Sequence, residues 1–269
     1  MRSPSKRTSR LGLVFALAMS CSIPARAASI VLDSKGVQDV NNLRDIGLAL
    51  INYESAFGSF PTDYFDSHGT ALLSWRVALL PFFGEQALFN QFDLSKAWND
   101  PVNFPLLQQM PAVYRSPASA AGSTDADYVG GVGANTMFPG AQHLKITSVT
   151  DGTSNTLFVG EAIGSSIPWT MPGDIAIGAC PTLGGSGFSS FIAGGVPFVF
   201  VDGAVRFLPN DIDCAKLAGL FNRSDMLADT SDVITDVQVV PEPSLGLLVA
   251  AGAWFSAVRR RSIQRKKGM

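Results

Sequence analysis

"FVFVDGAVRFL", residues 198–208, carries the clearest local signal in the chain. Asp202-Gly203 stands between two apolar runs that alternate, the signature of a β-hairpin with a two-residue loop. Its strands are expected at Phe198–Val201 and Ala204–Leu208. Just upstream, "ITSV" (146–149), "TLFVGEA" (156–162) and "DYVGGVG" (127–133) read as further strands rich in β-branched residues and glycine. "DGTSNT" (151–156) between two of them has the composition of a turn closed by side-chain-to-backbone hydrogen bonds. Downstream, "NDIDCAKLAGLF" (210–221) opens a short helix with Asp213 as the expected N-cap.

The first half of the body has a different period. In residues 37–57, Val40, Leu43, Ile46, Leu50, Tyr53 and Phe57 recur at intervals of three or four, one apolar stripe of an amphipathic helix. Gly58 and Pro61 end it. "LLSWRVALLPFFGEQALFNQFDL" (72–94) follows, with Ser74 as an N-cap and Pro81 splitting it into two short helices. "NFPLLQQMPAVY" (103–114) adds a turn or two between Pro105 and Pro111. Helices first and strands later predict an α+β domain, with the helices packed on an antiparallel sheet.

The two ends read as addresses. "MRSPSKRTSR" holds four cations and no acid, "LGLVFALAM" is a short apolar run, and Ala25 and Ala27 form an A-x-A site before Ala28. That order is a secretory signal peptide, residues 1–27, cut by a signal peptidase. The residues before Cys21 make a poor lipobox. At the other end, Ser244–Val258 is an apolar stretch of 15 residues, about 22 Å as a helix at ~1.5 Å per residue. A bilayer core is about 30 Å thick, so the span is short, and Arg259, Arg260 and Arg261 would snorkel to extend it. Six of the last 11 residues are Lys or Arg, which sets residues 259–269 in the cytoplasm. Residues 226–243 are acidic and aperiodic and read as a stalk or linker.

Charge follows the same division. The whole chain has 20 basic and 22 acidic residues, but the body, residues 28–240, keeps nine cations against 21 acids, a net charge of −12. Such a surface repels nucleic acid and anionic headgroups. Two cysteines remain in the body, Cys180 and Cys214, enough for one bridge in an oxidising compartment. With two histidines, His68 and His143, the chain has little material for His-based catalysis.

Candidate sites are correspondingly thin. Asp125 with Asp127 and Asp211 with Asp213 form D-x-D pairs, and Asp225, Asp229 and Asp232 add carboxylates, but no EF-hand spacing frames them for calcium. "GGSGF" (184–188) puts Phe188 where a nucleophile elbow needs glycine, and Ser154 has no histidine near it in sequence. Trp75, Trp98, Trp169 and Tyr128 are candidates for a glycan-stacking face, weighed against an ordinary place in the core. No catalytic, cofactor-binding or metal residue is assigned.

Six blocks together resemble a known family: "NNLRDIGLALINYESAFGSFP", "LLSWRVALLPFFGEQALFNQF", "MPAVYRSP", "DGTSNTLFVGEA", "IPWTMPGD" and "FVFVDGAVRFL". In order across about residues 38–225, they are similar to domain-of-unknown-function family 1559, a bacterial group of secreted, pseudopilin-like proteins. The resemblance implies a pilin-like fold over residues 28–225 and no settled activity. Members usually begin with a prepilin leader and a long hydrophobic helix, and "LVFALAM" lacks that pattern. They often carry a histidine ten residues before the hairpin Asp-Gly, where this chain has Ile192. They commonly carry cysteines where this chain has Asp39 and Ser116. The tail resembles the PEP-CTERM sorting signal: Pro241-Glu242-Pro243, an apolar helix, then Arg259–Arg261. That likeness implies processing by an exosortase and delivery to the cell surface or extracellular matrix. The combined expectation is an exported surface or matrix protein, anchored at its C-terminus at least transiently, with a structural or interaction role toward an envelope or matrix component. A calcium- or glycan-binding module is the second reading and a hydrolase the third.

Overall fold

A computed structural model describes residues 29–234, apart from Ser186, and residues 237–239. The signal-peptide site at Ala25, Ala27 and Ala28, the Pro241-Glu242-Pro243 motif, the 244–258 segment and Arg259–Arg261 lie outside the described residues. Among those described, no helix is long and apolar enough to cross a membrane.

The chain opens with β1 (Ile30–Leu32) and enters α1 (Ser34–Phe57). The Asp33 carboxylate caps the helix by accepting from the Gly36 N–H at 2.8 Å, so α1 begins three residues before the expected Val37. Gly58 ends it, donating its N–H to the Glu54 carbonyl at 2.7 Å. A small hairpin, β2 (Tyr64–Phe65) and β3 (Ala71–Leu73), leads to α2 (Trp75–Ala78), which Ser74 caps through Arg76 N. Pro81 removes a helical donor, and the chain tightens into a 3-10 turn at Leu80–Phe83 before α3 (Gln86–Phe89). Two more 3-10 turns follow, Phe104–Gln109 with Pro105 at its second position and Ala112–Tyr114 directly after Pro111.

The second half builds the main sheet from β4 (Tyr128–Val132), β5 (Leu157–Glu161), β6 (Ile175–Ala176), β7 (Val196–Phe200) and β8 (Val205–Leu208). The spatial order is β6-β4-β5-β7-β8, with antiparallel pairing throughout except the parallel edge strand β6. Helix α4 (Cys214–Phe221) is capped by Asp213, and β9 (Val237–Val239) returns to pair in parallel with β1. The architecture is α+β, as the order of elements predicts.

Both faces of the sheet are covered. Along β7, Val199 and the following Val201 pack with Leu43, Ile46 and Leu50 of α1. Val196, Phe198 and Phe200 face the other way, toward Phe188 and Leu217, Leu220 and Phe221 of α4. All five residues of β7 are therefore buried, and "VPFVF" reads as a nearly continuous apolar run. A third, smaller cluster joins Ile30 and Leu32 to Ile192, Phe207 and Ile234. Ile192 is thus part of the packing that holds β1 to the sheet.

Three local expectations change. The hairpin loop has three residues, Val201-Asp202-Gly203, because Phe200 donates to Ala204 O at 3.0 Å and Gly203 donates back to Phe200 O at 2.9 Å. Gly203 has φ +81° and Asp202 does not enter that region, so a loop with one left-handed residue replaces the two-residue turn. "ITSV" forms a 3-10 turn at Ile146–Ser148, not a strand, with the Val149 N–H returned to the Ile146 carbonyl. The stretch from 226, expected as a stalk, runs along the body: Lys216 reaches Asp229 and Asp232 at 3.3 and 2.9 Å, and Ile234 bridges Phe207.

Helix α1 sits close on the sheet because position 47 lacks a side chain. A Cβ there would overlap Cγ2 of Val199, a buried residue stiff about χ1. Gly47→Val is therefore expected to lower stability by about 1–3 kcal/mol or more through overpacking. The propensity gain of a few tenths of a kcal/mol is too small to offset it. Urea denaturation of the variant against the parent chain measures the difference.

Candidate functional site

Two buried polar networks meet at Tyr128. The first centres on Arg76, which stands on α2 and is 0% exposed. Its guanidinium donates to the Tyr128 carbonyl at 2.7 and 3.1 Å, to Ser74 Oγ at 2.9 Å and to Asp174 Oδ1 at 2.9 Å. Asp174 also accepts from Trp75 Nε1 at 3.0 Å and from the Gly130 N–H at 2.6 Å. Asp63 accepts from the N–H groups of Trp75 and Gly173 at 2.9 and 2.8 Å. Burial, with the neighbouring Asp174 charge, pushes the Asp63 carboxyl up to about 6. This network ties α2 and the β2–β3 hairpin to β4 and to the 170–174 segment.

The second network lies between α1 and β5. Tyr128 Oη donates to Asp39 Oδ1 at 2.6 Å, and Asn42 Nδ2 donates to Tyr128 Oη at 3.1 Å. Ser116 Oγ donates to Glu161 Oε1 at 2.8 Å, while the Ser116 N–H donates to Asp127 Oδ2 at 2.7 Å. Asp39 and Glu161 are both fully buried, and one oxygen of each, Oδ2 and Oε2, has no hydrogen-bond partner among the described residues. Burial raises both carboxyls above their ordinary range, and for Glu161 the Asp39 charge adds to the rise. Ser116 and Asn42 screen this cluster from an open groove of about 660 Å³ between α1 and residues 112–121. Ser116 and Asn42 belong to both the groove wall and the carboxyl cluster.

Residues 38–136 match the family described as "Protein of unknown function (DUF1559)". The family likeness of the sequence blocks is thereby shown over this stretch, which runs from α1 through β4 and holds Asp39, Asn42, Arg76, Ser116 and Tyr128. Glu161, Asp174 and both cysteines lie outside it. The family is one of unknown function and assigns no activity. No curated protein and no solved structure matches the chain.

The residues singled out from sequence take ordinary structural places. Cys180 and Cys214 are bonded, closing a separation of 34 residues and stapling the segment after β6 to the start of α4. Asp202 accepts from the Ala204 N–H at 2.9 Å and pairs with Arg206 at 2.7 Å, a turn role. Asp127 is drawn into the buried cluster, Asp213 caps α4, and Asp229 and Asp232 pair with Lys216. Among the described residues no group of three or more acids, histidines or cysteines has metal-site geometry. Trp75, Trp169 and Tyr128 are buried, so they form no glycan-stacking face; Trp98 is half-buried. His68 and His143 are both exposed, and Ser154 Oγ meets only Asn155 at 3.4 Å.

Arg76, Asp174, Asp39 and Glu161 were not singled out as site residues. Their signal was a charge in an apolar setting: Arg76 inside "LLSWRVALL", Glu161 at the end of "LFVGE", and Asp39 seven residues before Ile46 on the helix stripe. Arg76→Met leaves Asp174 buried without its cation and is expected to cost about 3–5 kcal/mol. Arg206→Ala, which breaks a partly exposed pair and removes the cation over Phe200, leaves no buried unpaired charge and is expected to cost about 1–2 kcal/mol. Equilibrium unfolding of both variants separates the two cases.

Proposed function

We propose that the chain is an exported protein delivered to the cell surface or extracellular matrix, held at its C-terminus at least transiently, with a structural or interaction role. The observation that carries this reading is the tail: Pro241-Glu242-Pro243, 15 residues of apolar sequence, and a basic end. The basic, apolar and small-residue order of residues 1–27 supports export by the same logic. An acidic body of net charge −12 suits a soluble domain outside the cytoplasm and disfavours nucleic acid as its partner. A bonded cysteine pair is in keeping with an oxidising compartment. A 24-residue helix laid on a mainly antiparallel sheet is the layout expected of a pilin-like domain. On this reading the partners are a signal peptidase, an exosortase-like processing enzyme and an envelope or matrix component.

Deleting residues 241–269 tests the address. The parent chain is expected in the envelope or matrix fraction, and the truncated chain in the periplasm or the medium with its body folded. Identical distribution of the two chains would defeat the proposal.

A further inference from the structure

The facing carboxyl groups of Asp39 and Glu161 are joined to four separate segments. Asp39 belongs to α1 and Glu161 to β5; Tyr128 reaches them from β4, and Ser116 from the segment after the Ala112–Tyr114 turn. The two carboxyls are near enough for each to act on the other's protonation. Each has one oxygen satisfied by a hydroxyl and one, Oδ2 or Oε2, without a donor. The cations near this region are engaged elsewhere. Arg76 is bound to Asp174, and Arg115 donates to the Ser123 carbonyl and acts on Asp127. Two bare carboxylates here would repel each other in a site of low polarity, with no counter-ion among the groups that face them. One proton between Oδ2 and Oε2 removes the repulsion and satisfies both orphan oxygens with a single hydrogen bond.

We propose that Asp39 and Glu161 hold one proton between them, and that this proton latches α1 to β5 beneath the groove, so that its loss loosens the Arg115–Ser119 wall and widens the groove. The geometry makes the link direct. Ser116 spends its hydroxyl on Glu161 and its N–H on Asp127, while Asn42 holds both Tyr128 Oη and the Arg115 carbonyl at 3.0 Å. Once the pair is fully ionised, repulsion pushes Asp39 and Glu161 apart, and the residues that bridge them to the groove wall lose their register.

The sign follows from the direction of the shifts. Both carboxyls are raised in the folded chain, so their contribution is complete below the ordinary carboxylate range and is lost as pH rises through the elevated values. Asp63 is raised to about 6 and contributes in the same direction at lower pH. Asp127 is raised by burial and Tyr128 by burial and by Asp39, so neither offsets the trend.

The test uses the full-length chain and Glu161→Gln, which keeps a donor toward Asp39 and an acceptor for Ser116 but cannot ionise. Between about pH 6 and about pH 10, the parent's thermal midpoint is expected to fall by roughly 5 °C or more. Its amide exchange at residues 114–119, corrected for the intrinsic rate, is expected to rise about tenfold, the equivalent of one pKa unit in linkage. In Glu161→Gln both changes should shrink to the small remainder that Asp63 and a lone Asp39 leave above pH 6. An infrared carbonyl band from a protonated buried carboxyl should be present at pH 7 in the parent and missing in the variant. The proposal fails if the parent lacks that band at pH 7, or if Glu161→Gln keeps the same alkaline loss. It fails equally if added calcium abolishes the band and raises the midpoint, since a cation would then bridge the pair. Should Glu161→Gln not fold, the parent's infrared band and Asp39→Asn decide the matter.

Discussion

The close seating of α1 on β7 at Gly47 sets the geometry on which the rest of the body depends. With no side chain at that position, the helix lies near enough for Leu43, Ile46 and Leu50 to bury against Val199 and Val201. The same seating fixes the other end of the inward face. Asp39 and Asn42 lie on that face one to two turns before Ile46, so they are carried inward with it. Helix packing thus delivers a carboxylate to the interior, and the surrounding segments supply the hydroxyls that meet it. The hydrophobic contact comes first in this chain of cause, and the polar cluster is its consequence.

The interior treats its charges in two ways. Arg76 is neutralised by Asp174, and its remaining donors go to the Tyr128 carbonyl and Ser74. That arrangement gives the buried guanidinium one anionic partner and pairs four of its five N–H donors. Among the described residues Asp39 and Glu161 have no cation, so the balance falls to protonation and to the hydroxyls of Tyr128 and Ser116. Tyr128 serves both networks, its carbonyl facing Arg76 and its hydroxyl facing Asp39. Asp39 and Ser116, the two positions where the family resemblance leads one to expect cysteines, stand on either side of Glu161. A polar bridge joins the same elements there, and the chain's cysteine bond lies between other segments.

Much of the fold was legible in residue period and turn chemistry. The stripe from Val40 to Phe57, the Ser74 and Asp213 caps, the break at Pro81 and the hairpin at Asp202-Gly203 depend on neighbours within a few residues. Where local preference lacked a partner it misled: "ITSV" has strand propensity, but Ile146 is exposed and no strand lies beside it. The buried clusters were hidden for a related reason. Asp39 meets Tyr128 across 89 positions and Ser116 meets Glu161 across 45, separations that no local pattern reports. A charge within an apolar run shows that something must neutralise it, but does not name the partner.

For the function, the body and the two ends contribute different things. The family match covers residues 38–136 and brings no activity with it, while the proposed sorting rests on the terminal sequences. The direct measurement is therefore mass spectrometry of both termini of the mature protein from envelope and extracellular fractions. The account predicts a chain that starts at Ala28, with its end at Pro243 once the tail has been processed or at Met269 while it still anchors. A mature protein that retains residues 1–27, or that is found only in the cytoplasm, would contradict it.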